Sequence, residues 1–364
     1  MSNKKKQNGS GCLFAFVVAI AVMATIVVLY SMNSGKIQEN LNNITTNIAE
    51  YIKQLNGNGN TLKDNIEFPE EEKLTEAQKY YYYQQLSETG KKIYLTIENN
   101  IDKLKNGEDN IPLPPSLNED AKSNSDGKDY IAKEFQNAWD AFVTDKSQYF
   151  YIDSSKVCLV TKMTTKGSNT NYEFYIGKGD NSNYFIEEFD NKEQVEAAIK
   201  RIEKVKKEIL QNASGNNYEK MKYVHDWIVD NVKYDTLNSE NTSNIYGCLV
   251  NKRVVCEGYA RTFKYLMDEL NIPCILVSGT AVDENGKSER HAWNYVYIKN
   301  NWYAIDTTWD DPIIIGTGKI DTSIKYKYFL NGSNTINKNH TPIGEVTKNG
   351  MKFKYPELSK EDIK

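Results

Sequence analysis

The longest apolar stretch in the chain is CLFAFVVAIAVMATIVVLY, Cys12 to Tyr30, nineteen residues without a charge. As a helix it spans about 28 Å, close to the roughly 30 Å hydrocarbon core of a bilayer. Lys4, Lys5 and Lys6 precede it and only Lys36 follows closely, so the positive-inside bias predicts a cytoplasmic tail (1–11), a signal anchor (12–30) and an exported remainder. The apolar run is longer than a cleavable signal core and ends without an A-x-A site. Beyond it, Ile37, Leu41, Ile44, Ile48, Tyr51 and Leu55 recur at steps of four and three. This stripe suits an amphipathic helix, or homodimer pairing through 37–55. NGNGN at 56–60 breaks it, and residues 31–75 read as a stalk.

From Thr75 the pattern becomes that of a folded domain. A polar-faced helix carrying Tyr80 to Tyr83 and Leu86 is predicted to reach Gly90. A second is predicted from Lys91 to Leu104, with Ile93, Ile97, Ile101 and Leu104 on one face. Pro112, Pro114 and Pro115 end that pair, and another helix carries Phe135, Ala138, Trp139 and Phe142. The alternating runs YFYID, VCLVTKM, NYEFYIG and YFIEEF then predict antiparallel strands, which makes 76–200 a small α+β domain. A charged helix from Lys192 to Leu210 leads into a second domain, 201–356, followed by a tail at 357–364. In that domain Met221, Val224, Ile228 and Val232 share one helical face. His225 lies beside the stripe with no His or Cys at metal-ligand spacing, and reads as structural.

Composition narrows the chemistry. The chain has 364 residues, a net charge of −4 and 26% charged residues of both signs. No basic excess points to nucleic acid. Five cysteines without a C-x-x-C pair suggest neither a disulfide scaffold nor zinc, and no metal or cofactor is expected. Cys158, in an apolar strand, reads as a buried structural thiol. Cys274, at the start of another, reads as buried and free rather than disulfide-bonded to Cys248.

Cys256 is different. It precedes a stripe of Tyr259, Phe263, Leu266 and Leu270 that Asn271 and Pro273 stop, so it is predicted to begin a helix. Unpaired N–H groups and the positive end of the helix dipole stabilise a thiolate there. Downstream, HAWNYVYIKNNWYAIDTTWDDP reads as two strands joined by a tight turn. With Lys299-Asn300 as the turn, Asp306 falls opposite Trp293, one diagonal step from His291 and within side-chain reach. Cys256, His291 and Asp306 are then the parts of a triad: nucleophile, general acid/base and orienter. Asp310 or Asp311 takes the orienter's place only if the register slips. Trp293, Trp309 and Tyr246 are candidate walls of a substrate cleft. The backbone N–H of Cys256 is one oxyanion donor, and Tyr234, Tyr246 and Asn251 stay open as the second. His340 lies in an Asn-rich loop with no partner that spacing can name.

The segments CEGYA (256–260), HAW (291–293) and WYAIDTTWD (302–310) resemble the bacterial transglutaminase-like superfamily, a branch of the papain-like cysteine protease fold. The resemblance covers about 205–356 and implies an α+β core in which the cysteine helix packs on an antiparallel sheet. It assigns Cys256 as nucleophile, His291 as acid/base and Asp306 as orienter. Where members often carry a glycine before the cysteine, this chain has Arg253-Val254-Val255, a bulkier approach. The expectation is a single-pass cell-surface thiol enzyme forming a thioester on a protein or peptide substrate, with cell-wall peptides within reach. Its product is a hydrolysed or a cross-linked amide. The competing expectation is a non-catalytic module of the same fold that binds a wall or surface protein.

Overall fold

In the computed structural model, residues 80–236, 241–311, 324–348 and 350–363 are described, and they belong to one compact unit. The predicted anchor at 12–30, the stalk with its stripe at 37–55, and Pro312 lie outside them. No helix among the described residues is long and apolar enough to cross a membrane.

The first helix is set by a cap. Ser87 Oγ accepts the N–H of Gly90 at 3.0 Å, so α1 runs Glu88–Asn99 and takes in Gly90 instead of ending there. The tyrosines before it form a turn, with Tyr82 fully buried. Ile93 and Ile97 of α1 and Leu104 of α2 (Ile101–Lys105) are fully buried, as their spacing predicts. After β1 (Ile111–Pro112) and α3 (Leu117–Lys122), the long helix α4 (Lys128–Asp145) packs along α1 through Ala138, Trp139 and Phe142. Its last residue, Asp145, is buried and accepts the N–H groups of Tyr82 and Tyr83 at 3.1 and 3.0 Å. Burial pushes its carboxyl up to about 7, against the pull of Lys264 and those N–H donors.

Two of the four predicted strands form. β2 (Cys158–Lys166) and β3 (Asn169–Gly177) make an antiparallel hairpin, and β1 adds to β3. The runs YFYID and YFIEEF meet only through one bridge, Ile152 to Phe185. There, edge-to-face contacts of Tyr151 with Phe185 and of Phe150 with Phe189 replace a ladder. Cys158 is half-buried, not buried: no position along β2 is fully buried.

α5 (Lys192–Asn212) and α6 (Asn217–Asn231) form the start of the second part. α6 opens with a reciprocal cap between Asn216 and Glu219. Met221, Val224 and Ile228 are fully buried. β4 (Lys233–Tyr234) pairs in parallel with β5 (Arg253–Val254), which delivers the chain to α7 (Cys256–Glu269). Asn271, at φ +58°, turns the chain out of that helix. β6 (Cys274–Val282), β7 (Ser288–Ile298), β8 (Asn301–Ile305) and β9 (His340–Pro342) build an antiparallel sheet ordered β8-β7-β6-β9; α8 (Ser333–Ile336) precedes β9. The fully buried Tyr259, Phe263 and Leu266 join the core that α7 forms over β6 and β7.

Candidate active site

Cys256 is the first residue of α7, after an extended Val255 that offers no side-chain acceptor. The helix start is brought in tightly. A Cβ on Gly258 would lie 2.5 Å from both the Thr242 carbonyl oxygen and Val254 Cβ, so this position excludes a side chain. From behind, the buried Asn294 Nδ2 donates to the carbonyls of Ala260 at 3.0 Å and Ile275 at 3.3 Å, tying α7 to the sheet.

The β7–β8 hairpin turns at Lys299-Asn300, whose φ values of +51° and +61° suit a type I′ turn. Ile298 pairs with Asn301 and Asn294 with Ile305, the register that carries Asp306 past Trp293 toward His291. His291 Nε2 lies 2.7 Å from Asp306 Oδ2, and both residues are buried. The Cys256 thiol is close enough to the ring to favour its protonated form, and with Nε2 engaged by Asp306 the other ring nitrogen, Nδ1, is left for it. Asp306 Oδ1 accepts the N–H groups of Thr308 and Trp309 at 2.9 and 3.2 Å. Burial opposes the charge of Asp306, but the histidines facing it hold its carboxyl well below the ordinary range. Burial likewise disfavours an imidazolium at His291, yet the charge and hydrogen bond of Asp306, with Cys256, raise it to about 10.

The remaining expected residues divide. Asp310 and Asp311 serve elsewhere: Asp310 Oδ2 meets His225 Nε2 at 3.0 Å, and Asp311 accepts from the Tyr259 hydroxyl. His225 is fully buried with a carboxylate at each ring nitrogen, Asp226 and Asp310, consistent with a structural role. Cys248 and Cys274 are free and buried; burial pushes the first up to about 12 and the second well above the ordinary thiol range. Tyr246 is core, not cleft: its ring stacks on Phe150 at 5.8 Å and its hydroxyl accepts from Arg201 at 3.1 Å. Trp293 is 1% exposed, and its ring packs behind His291, 6.0 Å between centroids. Half-buried Trp309 lies over the same imidazole at 5.3 Å without entering the cavity at Cys256. Asn251 is exposed at the end of the short helical turn Gly247–Asn251 that precedes β5. Tyr234 is half-buried, and its hydroxyl is pushed up to about 12 by burial and by the charge of Cys256.

Two features escape sequence reasoning. The first is a cleft contributed by both halves of the fold. Cys256, His291, Glu257 and Arg261 line a cavity of about 140 Å³ together with Tyr82 and Thr144 from the N-terminal part. Glu257 and Arg261, paired at 2.8 Å, also wall an adjoining cavity of about 310 Å³ floored by Trp139, Phe142 and Phe150. The second is His340. It lies in β9, 1% exposed, with Nε2 3.0 Å from the Asp306 Oδ2 that His291 reaches. His291, Asp306 and His340 are the group among the described residues whose ligand atoms come close enough, within 4.8 Å, to surround a metal ion. Both nitrogen–oxygen separations are hydrogen-bond lengths, so a cation would have to displace two N–H donors.

A family model for the transglutaminase-like superfamily matches residues 203–307. Mouse kyphoscoliosis peptidase is 26% identical over 135 residues, 34% of this chain and 19% of that protein. The human kyphoscoliosis peptidase is 24% identical over 143 residues, 36% of this chain and 20% of that protein. The chain thus spans about a fifth of the length of these relatives. Among solved structures, one titled as a TGase is 16% identical, covers 48% of this chain and 50% of its own, and has a TM-score of 0.30. One titled as a putative cysteine protease from Cytophaga hutchinsonii is also 16% identical, covers 43% and 68%, and has a TM-score of 0.26. By the family match, residues 203–307 carry a transglutaminase-like superfamily domain.

Proposed function

We propose that this protein is a thiol enzyme acting on amide bonds of proteins or peptides, with Cys256 as nucleophile, His291 as acid/base and Asp306 as orienter. The observation that carries the reading is the bond from His291 Nε2 to the buried Asp306, which leaves the other ring nitrogen for a thiol at a helix start beside a cavity. In the first step Cys256 Sγ attacks the carbonyl carbon, the C–N bond breaks, and the amine leaves with the proton that His291 took from the thiol. The acyl group is held as a thioester. Water then gives an acid, or a primary amine gives a new amide, with His291 removing the proton of the incoming group. The Cys256 N–H and the Tyr234 hydroxyl supply the oxyanion donors in this reading. Hydrolysis accords with the name peptidase borne by the mouse and human relatives.

With residues 12–30 as a membrane anchor and Lys4 to Lys6 inside, the catalytic part works outside the cell, where surface proteins and cell-wall peptides are its substrates. A peptide library incubated with the full chain and a labelled primary amine tests both outcomes. Cleavage or amine incorporation that disappears in Cys256→Ala supports the enzyme. Neither product with wild type, although peptides still bind, would leave a non-catalytic binding module.

A further inference from the structure

Asp306 Oδ2 serves two imidazoles. His291 Nε2 reaches it at 2.7 Å and His340 Nε2 at 3.0 Å, while Oδ1 is taken by two backbone N–H groups. A carboxylate kept ionised only accepts, so both rings donate N–H to the same oxygen. His340 is built in. Its ring packs between Trp309, Trp293 and Tyr328, with centroids at 4.6, 5.0 and 5.5 Å. Pairing of Ala281 with His340 fixes β9 on β6, and Gly279 permits the close approach, since a Cβ there would lie 2.2 Å from the Thr341 carbonyl oxygen.

The chain of contacts continues behind the ring. His340 Nδ1 is 2.8 Å from Asn339 Oδ1, and Asn339 Nδ2 donates to the Tyr328 hydroxyl at 2.9 Å. With the amide in this orientation both ring nitrogens of His340 donate and the ring is an imidazolium. With the amide turned over, Tyr328 donates to Asn339, Asn339 donates to Nδ1, and the ring is neutral. Either form presents Nε2–H to Asp306.

We propose that His340 is a positioning residue of this site, holding the Asp306 carboxylate against His291 and sharing its negative charge. The inference rests on the triad reading given above. Its consequence has one sign for either form of His340. A neutral N–H donor or a cation on Oδ2 draws charge from the carboxylate, so less of it stabilises protonated His291. Without His340 the full carboxylate acts on His291, which then holds its proton to higher pH. The carboxylate also loses one of its four donors and gains freedom to turn. The other ionisable groups around the pair are Cys256 on α7, Tyr234 on β4, Asp310 beyond β8, and Tyr328 with Lys327 before α8.

The chain holds three histidines, so ring NMR on the full chain with labelled histidine resolves each one. In a Cys256→Ala background, which removes coupling to the thiol, the His291 midpoint is compared with and without His340. His340→Phe keeps an aromatic ring without the donor, and should raise the midpoint by roughly one pH unit, a tenfold change in proton affinity. His340→Gln, which can still donate, should return it most of the way. Should His340→Phe fail to fold, Asn339→Leu removes the support of Nδ1 and should give a smaller shift in the same direction. A midpoint unchanged or lowered in the folded Phe or Leu variant, or a Gln variant indistinguishable from Phe, overturns the proposal. The titration needs no substrate, so an inactive wild-type protein would count against the proposed function and not against His340.

Discussion

His291 stands between two influences of opposite sign, and its pH behaviour tests which one wins. Burial favours the neutral ring, whereas Asp306 favours the charged one and prevails, raising it to about 10 from an ordinary value near 6.5. A histidine raised on folding adds stability that is complete below about 6.5 and is lost as pH rises toward 10. The thermal midpoint is therefore expected to fall between pH 7 and pH 10, and to fall less steeply in His291→Gln. An equal slope in both proteins would contradict the charged pair. The thiols give a second test, because Cys256 is half-exposed beside His291 while Cys248 and Cys274 are buried. Iodoacetamide should modify Cys256 first, and His291→Ala should slow that reaction by about 10²-fold with Cys158 unaffected. Equal labelling of Cys256 and Cys158 in wild type would sink the activated-thiol reading. Tyr234→Phe separates the thiol from the oxyanion: kcat should drop by about 10², whereas alkylation of Cys256, which passes through no oxyanion, should keep its rate.

At the scale of elements, the parts of the site that local pattern encodes are the parts legible in the sequence. The helix behind Cys256 follows from the spacing of Tyr259, Phe263 and Leu266 and stops at Asn271 as its chemistry dictates. The β7–β8 register follows from a two-residue turn, and it places Asp306 beside His291. His340 was not legible, because a three-residue strand has no period to read and its partner β6 lies about sixty residues earlier. Its rarity, one of three histidines in the chain, was the available signal. Trp293 misled for a related reason. β7 is buried continuously from His291 onward, so alternation that places Trp293 on the face of His291 does not separate cleft from core. The element most exposed to a single change is the first turn of α7. Gly258→Ala would drive a methyl into the Thr242 carbonyl and Val254. A loss of about 1–3 kcal/mol in denaturant unfolding is expected, with slower Cys256 alkylation, as the turn moves away from His291. Unchanged stability would mean that the turn relaxes without cost.

The whole molecule divides the labour differently from the division drawn along the sequence, where 76–200 is a small α+β domain set apart from the catalytic one. Arg261 of α7 donates to the Val143 carbonyl of α4, and the Tyr82 hydroxyl donates to the Leu276 carbonyl of β6, so the N-terminal part is fastened to the helix and sheet that hold the triad. From that position Tyr82 and Thr144 border the cavity at Cys256, and Trp139, Phe142 and Phe150 floor its neighbour beyond the Glu257–Arg261 pair. A cavity of about 310 Å³ with aromatic walls suits a bulky apolar side chain of a substrate whose amide lies over Cys256. Ser154 and Ser243, exposed at its rim, allow it to be filled without touching the triad. Ser154→Trp and Ser243→Trp should each raise KM about tenfold, some 1.4 kcal/mol, for peptides with a large apolar residue near the attacked bond. Both should leave alkylation of Cys256 by iodoacetamide at its wild-type rate. If KM stays constant for every peptide that the wild-type protein turns over, the second cavity lies outside the substrate's path, and the N-terminal part acts on the site only by bracing α7.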